Sequence, residues 1–394
     1  MKILLVAERY YPEVGAAASR LQNMAEGFER QGIEVDVLTS LPNYPKGKIF
    51  EGYRHCVSKQ EKIGGCNVYR YWAYATISTN VVKRAINMLS FALSIWLFAF
   101  KRRKIKSYDK VIIQSPALFP ATSAMILFKS LYHKHCILNV SDIWPSSGVD
   151  LGKIREGSVV YKVMLWCEKF LHRKADAVLG QSNEILARAR ELEPAKRLFL
   201  YRNLQNYKIK ETPRERHKPM RVVFAGMLGF AQDVYSIVEN IDFKALDVEF
   251  HIVGGGNQYD KLVKYTEENK ECNVRMYGFL PKDEMKAFYE NVDVAIVPLT
   301  TRIVGAFPSK IFDILPMGLP ILYCGEGGGA EFVDQYGVGL TCKAKDFEKI
   351  KDNIIKIRDL TDEEFAALSL RCIETSKNEL DFEKQMRECV KFIS

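Results

Sequence analysis

Short apolar runs alternate with longer stretches of helical period along the whole chain. KILLVAE (2–8), IEVDVLTS (33–40), NVYRYWAYAT (67–76), DKVIIQS (109–115), HCILNVSDIWP (135–145), AVLGQS (177–182) and RLFLYR (197–202) predict strands. Most of them are apolar at consecutive positions, as in strands covered on both faces. Between them, stretches such as SRLQNMAEGFERQG predict amphipathic helices. KIKETPRERHKPM (208–220) has two prolines and no apolar period, and it reads as a linker. Beyond it the rhythm restarts with RVVFAGMLG (221–229), VEFHIVGGGNQ (248–258), VRMYGFLP (274–281), VAIVPL (294–299), PILYCG (320–325) and VGLTC (338–342). Strand and helix in alternation make a parallel sheet with helices on both faces, so the expected fold class is α/β, with two doubly wound units. Residues 1–205 form the first unit and 206–376 the second, and 377–394 are expected to return as a helix to the first.

One segment departs from this rhythm, VVKRAINMLSFALSIWLFAFKRRKIK (81–106). Residues 85–100 carry no charge, and Lys83, Asn87, Ser90 and Ser94 fall on one stripe of a helix. Lys101, Arg102, Arg103, Lys104 and Lys106 follow at once. Sixteen uncharged residues give about 24 Å of helix, short of the ~30 Å hydrocarbon core, so a simple span is disfavoured. The segment reads as a helix lying on an anionic membrane surface, its basic cluster against the headgroups. The alternative is a helix wedged between two elements, which would also be apolar nearly all round.

The 394 residues carry a formal charge of +9, which calls for an anionic partner. Nucleic acid is set aside: there are no RRM aromatics, no zinc-finger spacing and no long basic helix. Nine scattered cysteines without a C-x-x-C pair point to a reducing compartment, with neither a disulfide framework nor a zinc site. MKILLVAE opens on a strand pattern without a signal peptide, and a cytoplasmic location is expected. No D-x-D motif or His/Asp cluster calls for a metal, and no cofactor is expected.

Candidate chemistry concentrates in GAFPSKIFDILPMGLPILYCGEGGGAEFVDQYGVG (305–339). Pro308-Ser309 predicts a helix entrance with Ser309 as N-cap, and Lys310 and Asp313 share a face. A helix terminus with a lysine suits a nucleoside diphosphate, and Asp313, about 4.5 Å further along the axis, suits the ribose hydroxyls. Glu331 ends the glycine-rich loop that follows. The same residues also read as an ordinary helix, strand and turn. In the first βα turn Gly15 is followed by Ala16, Ala17 and Ala18, without the G-x-G-x-x-G of a dinucleotide site. Asp142 and Trp144 close the 135–145 strand, where ligands of open α/β sheets bind, although Asp142 could equally cap the next helix.

The blocks YYPEVGAAASRLQNMAEGFERQG, SLPNYPKGKIFEGY, SDIWP, FAGMLGFAQ and PSKIFDILPMGLP resemble the family 4 retaining glycosyltransferases of GT-B fold. Within that family they are similar to the fucosyl and N-acetylfucosamine transferases of colanic acid and O-antigen assembly. The resemblance implies two Rossmann-like domains facing a central cleft. It also implies transfer of a sugar such as N-acetylfucosamine from a nucleotide-sugar donor, UDP-linked, to a saccharide on undecaprenyl diphosphate at the inner face of the cytoplasmic membrane. It places the donor at Gly15, Ala16, Gly226, Gln232, Gly278, Phe279, Ser309, Lys310, Asp313 and Glu331. The acceptor falls at Arg20, Asn43, Tyr44 and Trp144. The family's ribose glutamate falls on Asp313 and its first motif glutamate on Gly305, a departure. Met227 and Gln232 stand where the family carries phosphate-binding cations, leaving Lys310, and Ser146 replaces a glutamate that commonly follows Trp-Pro. In a retaining enzyme the departing phosphate takes the acceptor proton, so Asp142 and Lys310 are the catalytic candidates: Asp142 orients acceptor or stabilises the cationic sugar, and Lys310 steadies the leaving group. Two alternatives stay open, a non-catalytic nucleotide-sugar-binding or scaffolding subunit and a UDP-sugar 2-epimerase of GT-B shape.

Overall fold

The apolar runs assemble into two sheets in the computed structural model, which describes residues 1–78, 80–302 and 304–394. The first sheet contains β1 (Lys2–Val6), β2 (Glu34–Ser40), β3 (Ser58–Ile63), β4 (Cys66–Tyr71), β5 (Lys110–Ser115), β6 (His135–Val140), β7 (Ala177–Gly180) and β8 (Arg197–Leu200). Its order is β3-β4-β2-β1-β5-β6-β7-β8, parallel throughout except for the antiparallel β3–β4 pair. The second sheet contains β9 (Met220–Ala225), β10 (Val248–Val253), β11 (Val274–Gly278), β12 (Val294–Pro298), β13 (Ile321–Cys324) and β14 (Gly339–Cys342), ordered β11-β10-β9-β12-β13-β14 and all parallel. Each sheet has its own apolar core. The sequence analysis did not predict β3: its residues SKQEKI alternate between exposed and half-buried, so the strand lacks the apolar run of the others.

Two compact units result. One comprises Met1–Asn203, Val304–Ala306 and Phe382–Ser394, the other Leu204–Ile303 and Phe307–Asp381. Within the first, the helix Phe382–Ile393 lies on the helix Ala16–Arg30. Gly27 makes the contact possible, since a Cβ there would stand 2.8 Å from the Met386 sulfur. Gln385 accepts from the Arg202 amide at 2.9 Å and donates to its carbonyl at 3.0 Å, completing a pairing that a broken strand edge leaves open.

The 81–106 segment is a helix over Val81–Ser94, a tighter 3-10 stretch over Ile95–Phe100 and a short helix Arg102–Lys106. Asn87, Ser90 and Ser94 of its polar stripe are turned toward the protein, while Lys83 is exposed. Asn87 is buried and donates to the Tyr74 carbonyl at 2.6 Å, and the Ser90 hydroxyl accepts from the Tyr74 amide at 2.8 Å. Phe91, Ile95 and Phe98 fill the core beside them, Phe98 meeting Tyr69 edge-on at 5.1 Å. Val82, Ile86, Leu89, Leu93, Trp96, Leu97 and Phe100 point outward, with Leu93 72% and Phe100 85% exposed. The wedged alternative is therefore corrected, because one whole side of the helix is uncovered. By length and composition Val82–Phe100, 19 residues of mean hydropathy 1.3, could cross a membrane. Here its inner side is bound into the sheet.

The 208–220 linker has no helix or strand before Met220 and forms a strap fixed by two arginines. Arg214 is buried and donates to the carbonyls of Met317, Tyr289, Glu290 and Val292 at 3.0, 2.7, 2.9 and 2.6 Å. Arg216 donates to the last carbonyls of the helix Phe347–Arg358, at 2.9 Å to Ile357 and 2.5 Å to Arg358. Removing the Arg214 fork leaves buried acceptors without donors. Arg214→Met is expected to cost about 3 kcal/mol of unfolding free energy. Lysine should recover only part, because an ammonium cannot span four carbonyls. Urea unfolding of the full chain measures this, and an unchanged midpoint in Arg214→Met would contradict it.

Candidate functional site

In a doubly wound sheet a crevice opens at the carboxyl ends of strands whose connections leave in opposite directions. In the second sheet that point lies between β9 and β12. Beyond β9 the chain passes through Gly226, at φ +147°, and its amide donates to the Val253 carbonyl at 2.8 Å. A Cβ on Gly254 would stand 1.8 Å from the Gly226 oxygen, and one on Gly256 2.5 Å from the Leu228 oxygen. Only glycines allow the two loops to meet this closely. Gly278 joins the same edge by accepting from the Gly254 amide at 2.6 Å, and Phe279 beside it is exposed.

Lys310 reaches into this edge. Its Nζ lies 4.0 Å from the centroid of the Phe224 ring, and a Cβ on Gly226 would stand 2.3 Å from it. Burial lowers its pKa to about 8, and the nearby Asp313 opposes the shift only in part. An ammonium desolvated against backbone and a ring gains most from an arriving anion. Ser309 stands at the cap position of the helix Lys310–Ile314, but its side chain caps nothing. Its backbone is already helical, whereas a capping side chain needs an extended residue. The Ile311 and Phe312 amides are taken by the Pro308 and Ser309 carbonyls at 3.1 and 3.0 Å. Lys310, more than the helix end, is thus the cationic feature here.

Asp313 is hydrogen-bonded to Tyr207, whose pKa is raised by burial and further by the Asp313 charge. Tyr207 was not singled out from the sequence, and nothing in a lone tyrosine of the strap marks it. Glu331 is exposed on the first turn of the helix Gly328–Tyr336, which is tied to the Lys310 helix through Phe332, Phe307 and Phe312, with centroids 5.7 and 4.9 Å apart. Gln232 folds against Gly229, where a Cβ would stand 2.9 Å from its Oε1. Arg302, a cation also missed, lies beside Gly327 at the start of that helix.

In the first sheet the crevice lies between β1 and β5. It is a cleft of about 370 Å³ whose walls include Glu8, Arg9, Arg20, Tyr44, Arg84 and Trp144. Gly15, at φ +149°, closes against Tyr44, and Ala16 begins the helix behind it. Arg20 donates to the Gln181 side-chain oxygen at 2.6 and 3.2 Å, and burial lowers its pKa to about 10. Asn43 is buried and its side chain donates to the Leu41 carbonyl at 3.1 Å, while its amide and that of Tyr44 both donate to Glu13 at 2.8 Å. Asn43 therefore shapes the loop, and Tyr44 presents the ring to the cleft.

Asp142 accepts from the Ser147 hydroxyl and from the Trp144 indole at 3.1 Å, and burial raises its pKa. Through these bonds Asp142 positions Trp144, which lines the cleft. Gly305 is packed within this unit, donating to Glu184 at 2.5 Å and accepting from Ser182 at 2.9 Å. A Cβ there would stand 2.6 Å from Ile143, so the glutamate of the family pattern has no room. Among the described residues no cluster of three metal-ligating side chains occurs.

A family model described as glycosyl transferase 4-like domain matches residues 15–202, and one described as glycosyl transferases group 1 matches residues 206–378. The chain is a glycosyltransferase of GT-B fold. This glycosyltransferase is 25% identical over 336 residues to WcaI of Escherichia coli K12, named as a colanic acid biosynthesis glycosyl transferase, covering 81% of the chain and 82% of the relative. Its fold is shared by sucrose-phosphate synthase from Thermosynechococcus elongatus, with TM-score 0.72, 14% identity and coverage of 99% and 98% of the two chains. It is shared also by Anabaena HepE solved with UDP, with TM-score 0.68, 14% identity and 99% coverage of both.

The glycosyltransferase should show a pH limit set by Lys310. Its folded pKa lies below the ordinary 10.5, so the ammonium is present below about pH 8 and lost above it. For the free enzyme, kcat/KM for donor is expected to fall about tenfold per pH unit above that value. Lys310→Arg, which stays charged, should abolish this limb, and Lys310→Ala should lower kcat/KM at least 100-fold at pH 7. Initial rates from pH 6 to 10 decide, and a wild-type profile in Lys310→Arg would remove Lys310 from the site.

Proposed function

We propose that this glycosyltransferase moves a sugar, with retention at the anomeric carbon, from a UDP-linked donor to a lipid-linked saccharide in the assembly of a bacterial surface polysaccharide. The observation that carries the donor half is the desolvated Lys310 ammonium over Phe224 and beside Gly226, at the switch point of the second sheet. Breaking the glycosidic bond to a diphosphate builds negative charge on the leaving oxygen, and a cation held there in advance lowers that barrier. Lys310 takes this role, and Asp313, oriented by Tyr207, receives the ribose. On the acceptor side, Trp144 and Tyr44 offer ring faces to sugar C–H surfaces. The likeness to WcaI supports a polysaccharide product, with N-acetylfucosamine as the sugar to try first. The bound UDP of the HepE structure supports the choice of base.

The enzyme sits on the inner face of the cytoplasmic membrane through 81–106. Support comes from the outward stripe Val82, Ile86, Leu89, Leu93 and Phe100, followed by the exposed Lys101, Arg102 and Arg103. A contiguous apolar stripe edged with basic residues suits an anionic interface.

Incubation with a panel of UDP-sugars and a lipid-linked acceptor is expected to release UDP only when both substrates are present, and NMR of the product to show the donor's anomeric configuration. Conversion of a UDP-sugar to its 2-epimer without acceptor would sink the proposal. Reversing Arg102 and Arg103 to Glu is expected to weaken binding to phosphatidylglycerol vesicles by at least 2 kcal/mol, about 30-fold, given ~1 kcal/mol for each basic residue near the surface. Leu93→Asp should act in the same direction in vesicle co-sedimentation. Equal binding by all three proteins would argue against the membrane placement.

A further inference from the structure

Three guanidinium groups, those of Arg9, Arg20 and Arg84, line the cleft of the first unit beside Glu8, with the carboxyls of Glu13 near Arg9 and Asp142 near Arg20. Arg20 is engaged with Gln181. The other two are differently placed. Arg9 lies with its Cζ 4.3 Å from the centroid of the Tyr44 ring, and its Nη1 is shut off from solvent with no hydrogen-bond acceptor. A stacked ring holds a guanidinium in place but does not satisfy its N–H groups. Arg84 is exposed on the first turn of the helix Val81–Ser94, and its charge acts on Glu8. Glu8 is half-buried between them, and burial pushes its carboxyl toward the neutral form, leaving the positive charge less compensated.

Arg84 also has a particular address. It stands two residues from both Val82 and Ile86, which point outward, while Asn87 and Met88 of the same helix line the cleft. At 1.5 Å of rise per residue the guanidinium stem is about 3 Å along the axis from the outward stripe. The rim of the cleft and the uncovered apolar face therefore share one turn of helix.

We infer that Arg9 and Arg84 form a diphosphate-binding pair at the mouth of this cleft, which grips the charged link between the lipid and the saccharide of the acceptor. The inference rests on the lipid-linked acceptor proposed above and assigns the residues that recognise it. Two guanidiniums match the oxygens of a diphosphate in paired N–H···O bonds, a geometry that neutral sugar hydroxyls do not require. With the lipid in the bilayer and the diphosphate on this pair, the saccharide extends inward toward Tyr44 and Trp144. The position of the reacting hydroxyl is then measured from a fixed anion.

Farnesyl diphosphate, inorganic pyrophosphate, farnesol and UDP, titrated calorimetrically into the full-length protein, test this. Wild type is expected to bind farnesyl diphosphate most tightly of the three non-nucleotide probes. Arg84→Gln and Arg9→Gln should each weaken it at least tenfold while the Kd for UDP stays within twofold. If Arg9→Gln fails to fold, Arg84→Gln alone decides, since its side chain is exposed. A loss of UDP affinity in Arg84→Gln would assign the pair to the donor and overturn the inference. So would unaltered farnesyl diphosphate binding. A loss of phosphatidylglycerol vesicle binding in Arg84→Gln, with farnesyl diphosphate binding intact, would make Arg84 a headgroup contact and overturn it as well. The donor reading is tested separately by UDP, whose binding by wild type stands or falls without these arginines.

Discussion

A parallel sheet covered by helices on both faces leaves its strand ends as the place where polar groups and solvent meet, and only where neighbouring connections part does that edge open into a crevice. Both units obey this constraint. In one, β1 and β5 diverge and the chain sets Glu8 and Arg9 directly after β1. In the other, β9 and β12 diverge and Gly226 follows β9. The chemistry-bearing residues are few and local because the sheet offers them only this edge. Everything else in each unit serves to hold that edge open at a fixed width.

The glycine contacts show how narrow the tolerance is. Gly254 and Gly256 bring the β10 loop onto the backbone of the β9 loop at distances that no Cβ survives. Gly226 leaves room in turn for Lys310, whose ammonium lies on a ring and this glycine, where a side chain would have displaced it. Desolvation then makes the free lysine a poor home for its proton, with a pKa near 8. The diphosphate of the proposed donor would reverse that, since a nearby opposite charge restores the charged form.

Much of this was legible in the sequence. Strands buried on both faces announce themselves as apolar runs, and the exception, β3, is a half-exposed edge whose SKQEKI carries no such run. Lys310 and Asp313 were marked by their spacing. What stayed hidden depended on long-range contacts. Tyr207 reaches Asp313 from the strap, and Arg214 finds carbonyls that no local pattern foretells. Residues 208–220 have no core of their own, as their polar composition indicates, and the partners that fix them are long-range. Asp142 was read as a cleft residue because it closes a strand, and Asn43 was placed on the acceptor side with Tyr44. Their side chains are used within the chain, on Ser147 and Trp144 in one case and on Leu41 in the other.

The helix Val81–Ser94 carries the argument furthest, because its polarity is reversed. Lys83, Asn87, Ser90 and Ser94 look like the wet face of an amphipathic helix, and in isolation they would be. Asn87 and Ser90 instead satisfy the backbone around Tyr74 inside the unit, where an unpaired amide or carbonyl would be costly. Sending the polar stripe inward obliges the apolar stripe to face out. An exposed row from Val82 to Phe100, followed by the exposed Lys101, Arg102 and Arg103, is the surface on which the proposed membrane placement rests. The hydrogen bond of Asn87 thus helps to set which side of the helix is left uncovered, one residue from Met88 in the wall of the cleft.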